Sequence, residues 1–135
     1  RQFNENNYRV FVVSNQSGVA RGFYTKDDVI KFHKELKKEL SFNKAFIDDF
    51  RFCPHHPTEG LGHFKSICNC RKPETGMVND LVSSWDLNLS ECVFVGDSLA
   101  DKLCAERAGI DFIEAKCQEH NSKIDEYLAN RIISN

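Results

Sequence analysis

Two pairs of soft metal ligands stand close together in this sequence. They are Cys53-Pro54-His55 and Cys68-Asn69-Cys70, with twelve residues between His55 and Cys68. A ligand pair spaced i, i+2 can pinch one ion from a tight turn, and the intervening loop can close around it. Three thiolates and one imidazole make a tetrahedral zinc site with no open position, so the expected role is structural. Sulfur ligands argue against Mg²⁺ or Ca²⁺ at this place. Binding would order a long polar loop over residues 53–70. His56 is the competing imidazole, and His63 is expected to face solvent. Cys92, Cys104 and Cys117 read as small core residues or inert thiols. His33 and His120 read as helix-surface residues.

A second set of residues suits an anionic ligand. Ser14 closes the apolar run 9–13 and is followed by Asn15, Gln16, Ser17 and Gly18. A hydroxyl and successive backbone N–H groups at a strand end form an anion nest. Lys72 follows the Cys/His loop directly and would supply a point charge to a phosphoryl group. Arg71 beside it could grip a second anionic group in bidentate fashion. Asp97 sits at the end of Val93-Phe94-Val95-Gly96, and Asp101 lies one helical turn further on. Two such carboxylates can hold Mg²⁺.

These groups need elements to position them. The run 9–13 is short, apolar and β-branched, as in a strand buried on both faces. Thr25 reads as an N-cap, with Asp27 and Asp28 in the first turn. Val29, Phe32, Leu36 and Leu40 then mark an amphipathic helix over 26–40, with Lys31, Lys34, Lys37 and Lys38 as its solvated face. A weaker strand is expected at 46–52. A helix is expected over 75–85, with Met77, Leu81, Val82 and Trp85 inward. A strand at 92–95 precedes a helix over 98–108, with Leu99, Leu103 and Ala108 inward and Gly109 as its stop. A strand over 110–115 and a surface helix over 121–133 complete the chain, with Ile124, Tyr127, Leu128 and Ile132 as the apolar side of that helix. The alternation predicts an α/β fold, a Rossmann-like three-layer sandwich with a mostly parallel sheet. In such sheets the chemistry gathers beyond the carboxyl ends of the strands.

Composition narrows the function classes. The 135 residues carry 18 Lys plus Arg against 20 Asp plus Glu, a net charge of −2. Basic residues are dispersed, so a nucleic-acid-binding zinc module is disfavoured. No run of 18 apolar residues is present, so no membrane span is expected. A Cys/His cluster without a leader points to the cytoplasm.

At this point the motifs resemble a known family. Val13-Ser14-Asn15-Gln16-Ser17-Gly18-Val19-Ala20-Arg21-Gly22 resembles the second motif of haloacid dehalogenase superfamily phosphatases. Arg71-Lys72-Pro73 resembles the third, and Val95-Gly96-Asp97 with Asp101 the fourth. The loop from Cys53-Pro54-His55-His56-Pro57 to Cys68-Asn69-Cys70 is similar to the zinc loop of the heptose 1,7-bisphosphate branch. The histidinol-phosphate branch, with a shorter loop, is the alternative, as is another small sugar phosphate.

The resemblance implies a capless, Mg²⁺-dependent phosphomonoesterase acting through an aspartyl-phosphate. Ser14 and the Asn15 backbone would bind phosphate oxygens, with Gln16 and Ser17 in the same substrate-binding turn. Lys72 would neutralise charge, Asp97 and Asp101 would serve Mg²⁺, and Arg21 and Arg71 would grip the sugar phosphate. The zinc at Cys53, His55, Cys68 and Cys70 would shape the substrate wall. The partner would be a phosphorylated sugar, and a monomer is the favoured state of the complete protein.

Two departures stand out. Ser98 stands where relatives often have Lys or Arg. The first motif, Asp-x-Asp-Gly-Thr, is not in the chain, which opens on Arg1. Asp27-Asp28 and Asp48-Asp49 read instead as a helix start and a loop. Residues 1–135 are therefore expected to be a single phosphatase domain without its first strand. In the family that strand lies between those corresponding to 9–14 and 92–96. Its absence should leave two open strand edges and a groove, poor folding and no phosphate hydrolysis. A non-catalytic zinc-binding remnant is the reading from a different class.

Overall fold

The computed structural model describes residues 1–115 and 120–133. The chain runs α1 (Gln2–Glu5), β1 (Phe11–Asn15), α2 (Lys26–Phe42), β2 (Asp49–Cys53), α3 (Gly76–Trp85), β3 (Val93–Gly96), α4 (Leu99–Ala108), β4 (Asp111–Glu114) and α5 (His120–Ile133). This is the expected α/β alternation. Cys117 lies outside the described residues, as do the side chains of His120 and Ile132.

Local chemistry sets the boundaries. Thr25 caps α2 in a reciprocal box, its hydroxyl accepting from Asp28 N while the Asp28 carboxylate accepts from Thr25 N. Ser98 and Asp101 form the same box at the start of α4. Gly109 ends α4 in the left-handed conformation at φ 71°. Just before the second strand, Asp48 clasps Val10, its N–H donating to Val10 O at 2.8 Å and its carboxylate accepting from Val10 N at 2.7 Å.

The strands form two parallel pairs, β1 with β2 and β3 with β4. The single mostly parallel sheet of the sequence reading is thus divided into two half-sheets. Between them runs a groove of about 910 Å³. Its walls include Val10 to Val13 on one side and Val93 to Val95 on the other, with Lys72 among its lining residues. The residues of β1 remain half-exposed for this reason, and Val95 is 36% exposed.

The core lies under the helices. Val29, Met77, Val78, Leu81, Cys104 and Ala105 are buried, and Ile113, Ile124 and Leu128 form a further cluster with Tyr8 and Val93 packed on it. Several side chains depart from expectation. Phe32 is 60% exposed and His33 is buried in its place, 3% exposed, stacked on Phe50 with ring centres 4.1 Å apart. The apolar stripe of α2 therefore runs through Val29 and His33, one helical turn apart. Leu99, expected inward, is 71% exposed in the first turn of α4. Cys104 is fully buried, as expected, while Cys92 is only half-buried. No helix among the described residues is long and apolar enough to cross a membrane.

Candidate active site and metal centre

The Cys/His loop starts at the carboxyl end of β2, where Cys53 is the last strand residue. Cys53, His55, Cys68 and Cys70 bring one donor atom each within 4.8 Å of one another. Cys53 Sγ lies 3.0 Å from Cys70 Sγ and 3.5 Å from Cys68 Sγ, and His55 Nδ1 lies 3.4 Å from Cys70 Sγ. Zinc–thiolate bonds of about 2.3 Å in a tetrahedron imply sulfur–sulfur edges of about 3.8 Å, so the set needs only a slight expansion to hold the ion. The donor set fits zinc in number, type and geometry. Burial raises the Cys53 and Cys70 thiols above their ordinary pKa. Burial also opposes Cys68 ionisation, but hydrogen bonds from Cys70 and Cys53 outweigh it and lower that thiol.

His56 has another task. Its Nδ1 accepts from Glu59 N at 2.9 Å and Thr58 N at 3.4 Å, which tightens the loop. His63 packs on Phe64, ring centres 4.0 Å apart. The loop also touches the turn after β1. Leu61 N donates to Ala20 O at 2.7 Å, and Arg21 pairs with Glu59 at 3.0 Å. Arg71 Nη1 donates to His55 O at 3.2 Å. Both arginines expected to grip substrate are thus engaged with the metal loop.

The anion rim is built around Lys72. Its Nζ donates to Val13 O at 2.8 Å and lies 2.6 Å from Asp101 Oδ1, an ion pair rather than an aligned hydrogen bond. It also stands 5.8 Å from the centre of the Phe94 ring. Lys72 therefore joins β1 to β3 and α4. Its own backbone is fixed by Asn15, whose carboxamide accepts from Lys72 N at 2.9 Å and donates to Lys72 O at 3.0 Å.

Asp101 is 6% exposed and both its oxygens are engaged. Oδ2 accepts from Ser98 Oγ at 2.7 Å and from Ser98 N at 3.2 Å, while Oδ1 faces Lys72. Burial works against this carboxylate, but Lys72 and Ser98 outweigh it and hold its pKa below the ordinary value. The arrangement makes Asp101 a holder of Lys72 rather than a spare ligand beside Asp97. Gly96 permits the approach, since a Cβ there would lie 2.5 Å from Asp101 Cβ. Asp97 itself is exposed just beyond β3 and makes no hydrogen bond or ion pair among the described residues. It is an open carboxylate of the kind Mg²⁺ takes, usually with several waters.

A hydrogen-bond chain that sequence reasoning missed ends on Ser14. Tyr24 OH donates to Gln16 Oε1 at 2.7 Å, and Gln16 Nε2 donates to Ser14 Oγ at 2.9 Å. The Ser14 oxygen is thereby an acceptor within the protein, which leaves its O–H to donate to a ligand. Gln16, expected to touch substrate, instead orients Ser14. Tyr24 reaches Gln16 only because residue 18 is glycine, where a Cβ would meet the tyrosine ring at 2.3 Å. Ser17 contributes its carbonyl to the turn, accepting from Arg21 N at 3.1 Å. The remaining acidic pairs are structural. Asp28 caps α2, and Asp49 binds Arg51 at 2.8 Å and Trp85 Nε1 at 3.1 Å.

Parallel strands that deliver a hydroxyl, a lysine and an acidic turn to one rim are the arrangement of a haloacid dehalogenase-like hydrolase, and the chain resembles that family. The HAD-hydrolase-like family model matches residues 69–129. Among curated proteins, the chain is similar to the D-glycero-beta-D-manno-heptose-1,7-bisphosphate 7-phosphatase of Rhodopseudomonas palustris, 44% identical over 110 residues, 82% of this chain and 61% of that one. The D-glycero-alpha-D-manno-heptose-1,7-bisphosphate 7-phosphatase of Campylobacter jejuni is 36% identical, over 82% of this chain and 59% of that one. Among solved structures, the D,D-heptose 1,7-bisphosphate phosphatase of B. bronchiseptica, complexed with magnesium and phosphate, matches with a TM-score of 0.71 at 32% identity, over 82% of this chain and 58% of that chain. A putative HAD-like phosphatase of Mesorhizobium loti matches with a TM-score of 0.75 at 31% identity, over 79% of this chain and 51% of that chain. The chain therefore spans under two thirds of the length of these relatives.

Proposed function

We propose that this chain carries the phosphate-binding and metal-binding part of a Mg²⁺-dependent phosphomonoesterase of the heptose 1,7-bisphosphate 7-phosphatase type. The observation that carries this reading is Lys72, held between β1 and α4 by Val13, Asn15 and Asp101, at the strand end that carries Ser14. The similarity to the named relatives supports the substrate class.

In this reading Ser14 donates to a phosphate oxygen, oriented by Gln16 and Tyr24. The Asn15 backbone N–H adds a second donor. Lys72 keeps its third N–H for the phosphoryl group, its other two being directed to Val13 and Asp101. Such preset donors favour the charge that develops in the transition state. Asp97 would hold Mg²⁺, which supplies charge neutralisation at the phosphate. The cluster of Cys53, His55, Cys68 and Cys70 would hold structural zinc, and Arg71 ties Lys72 to it through His55 O. The carboxylate nucleophile implied by the resemblance is not among the described residues of this rim. Reduced zinc-binding thiols are in keeping with a cytoplasmic setting, which belongs to the same proposal.

The test is a substrate panel on the product of the complete gene, with Mg²⁺. The expected result is preference for D-glycero-D-manno-heptose 1,7-bisphosphate over histidinol phosphate, with Lys72→Ala lowering kcat about 10²–10³-fold. A preference for histidinol phosphate would overturn the substrate. No hydrolysis of any phosphomonoester would favour the binding-module reading.

A further inference from the structure

Three free thiols meet where the metal loop closes. Cys53 Sγ lies 3.0 Å from Cys70 Sγ and 3.5 Å from Cys68 Sγ, and Cys68 Sγ lies 3.3 Å from Cys70 Sγ. The closest pair, Cys53 and Cys70, joins the end of β2 to the end of the loop. Cys68 and Cys70 have only Asn69 between them, so a bond there would close a small ring. Access separates the thiols as well. Cys53 is fully buried, whereas Cys70 is half-buried behind the exposed Asn69. A small oxidant therefore meets Cys70 from solvent, with Cys53 behind it as a resolving thiol. Cys68 is as accessible but lies further from Cys53. Metal binding keeps such ligands as thiolates, the nucleophilic form. Cys104 is fully buried and Cys92 is bonded to Asn88 O, and neither has a second thiol in reach among the described residues.

The same two residues are tied to the anion rim. Cys53 O accepts from Gln16 N at 2.8 Å, and Gln16 orients Ser14. Arg71 and Lys72 follow Cys70 directly, and Arg71 also holds His55 O. Zinc would keep the Cys53 and Cys70 sulfurs about 3.8 Å apart. A disulfide draws them into covalent contact. The two forms of the loop thus set Cys70, and Lys72 beyond it, in different places.

We propose that the metal loop is a modification site for peroxides, where oxidation joins Cys53 to Cys70, releases the metal and loosens the anion rim. The Cys70 thiolate attacks one oxygen of hydrogen peroxide and breaks the O–O bond, giving a sulfenic acid and hydroxide. The Cys53 thiolate then attacks the Cys70 sulfur, forms the S–S bond and expels a second hydroxide. Two protons from solvent convert both hydroxides to water. The two sulfurs lose two electrons and the peroxide gains them. Only Cys68 and His55 then remain as donors, too few for a closed tetrahedral site. A reducing dithiol reverses the step by exchange. The inference rests on the zinc reading of the cluster and not on the identity of the phosphomonoester.

The test uses the product of the complete gene, assayed for zinc and then treated with a small excess of hydrogen peroxide. Free thiols are alkylated before trypsin digestion. The expected result is release of about one zinc per chain to a chromogenic chelator. The tryptic peptides 52–65 and 66–71 should be cross-linked, with Cys68 carrying the alkyl group. Inorganic phosphate binding with Mg²⁺, followed by phosphorus NMR, should weaken at least about threefold. Dithiothreitol with zinc should restore all three properties. Cys68→Ser, folded but without zinc, should form the same cross-link, since Cys68 takes no part in it. A Cys68–Cys70 bond, over-oxidation without a cross-link, or zinc retained after peroxide would overturn the proposal. Unchanged phosphate binding by the cross-linked protein would overturn its effect on the rim. Absence of zinc before treatment would overturn the zinc reading as well, whereas zinc present with no cross-link would refute this inference alone.

Discussion

Asn15 and Lys72 are 57 residues apart in sequence, yet the Asn15 carboxamide pairs with both the N–H and the C=O of Lys72. The side chain acts as a one-residue strand, holding the segment after the metal loop against the end of β1. The lysine ammonium is placed from two directions as a result, by its own backbone and by Asp101.

Removing that carboxamide should cost stability. Asn15→Ala deletes two partly buried hydrogen bonds and leaves two Lys72 backbone groups without partners. The expected loss is about 1–3 kcal/mol, read from urea denaturation against wild type. A loss under about 0.5 kcal/mol would mean that the pair does not hold Lys72.

The Tyr24–Gln16–Ser14 chain should act on ligand binding more than on folding. Tyr24→Phe removes one hydroxyl and lets the Gln16 amide rotate. Inorganic phosphate binding with Mg²⁺, followed by phosphorus NMR, should weaken about 3–10-fold, the worth of one hydrogen bond. Unchanged binding would show that Ser14 needs no orientation from Gln16.

Cys68→Ser should abolish metal loading at the cluster. Wild-type protein should carry about one zinc per chain by elemental analysis, as one closed tetrahedral site requires, and Cys92→Ser should keep it. Retention of zinc by Cys68→Ser would refute the ligand set.

His33 should make stability sensitive to mild acid. Burial against Phe50 and beside Phe32 lowers its pKa below the ordinary 6.5, and its Nε2 has no partner. The unfolded chain therefore binds the proton more readily than the folded one. Stability contributed by neutral His33 is complete above the unfolded pKa and is lost as pH falls below it toward the folded value. His33→Phe should flatten the unfolding free energy between pH 7 and 5 in zinc-loaded protein. An unchanged slope would assign the acid sensitivity to another group.

Gly96→Ala probes the packing of Asp101. The new Cβ would lie 2.5 Å from Asp101 Cβ, backed by α4. Displacement of the carboxylate should cost about 1–3 kcal/mol and weaken phosphate binding together with it. A neutral effect on both would show that Asp101 has room to move without disturbing Lys72.

Much of this was legible in the residues. Capping signals and apolar periodicity located α2, α3 and α4 to within two residues, and the i, i+2 spacing picked out the four atoms that converge at the metal loop. Helix phase was less legible. The stripe through Val29 admits either Phe32 or His33 at the next turn, and the flat face offered by Phe50 decides for the histidine. The Ser98-to-Asp101 capping box was readable from its spacing, and it signals that the carboxylate is committed locally. The Tyr24 contact was not readable, because it depends on how the turn after β1 folds back over Gly18. The groove was expected through the family resemblance.

The groove has a consequence for how the chain folds. β1–α2–β2 and β3–α4–β4 are each continuous in sequence, and each closes its own strand pair. Contacts of that kind form early, because little loop entropy is lost in making them. Each βαβ unit can therefore act as a separate foldon, and Lys72 is a tie between them that forms late. Hydrogen exchange should then resolve two opening units where a sheet continuous across its middle would open as one.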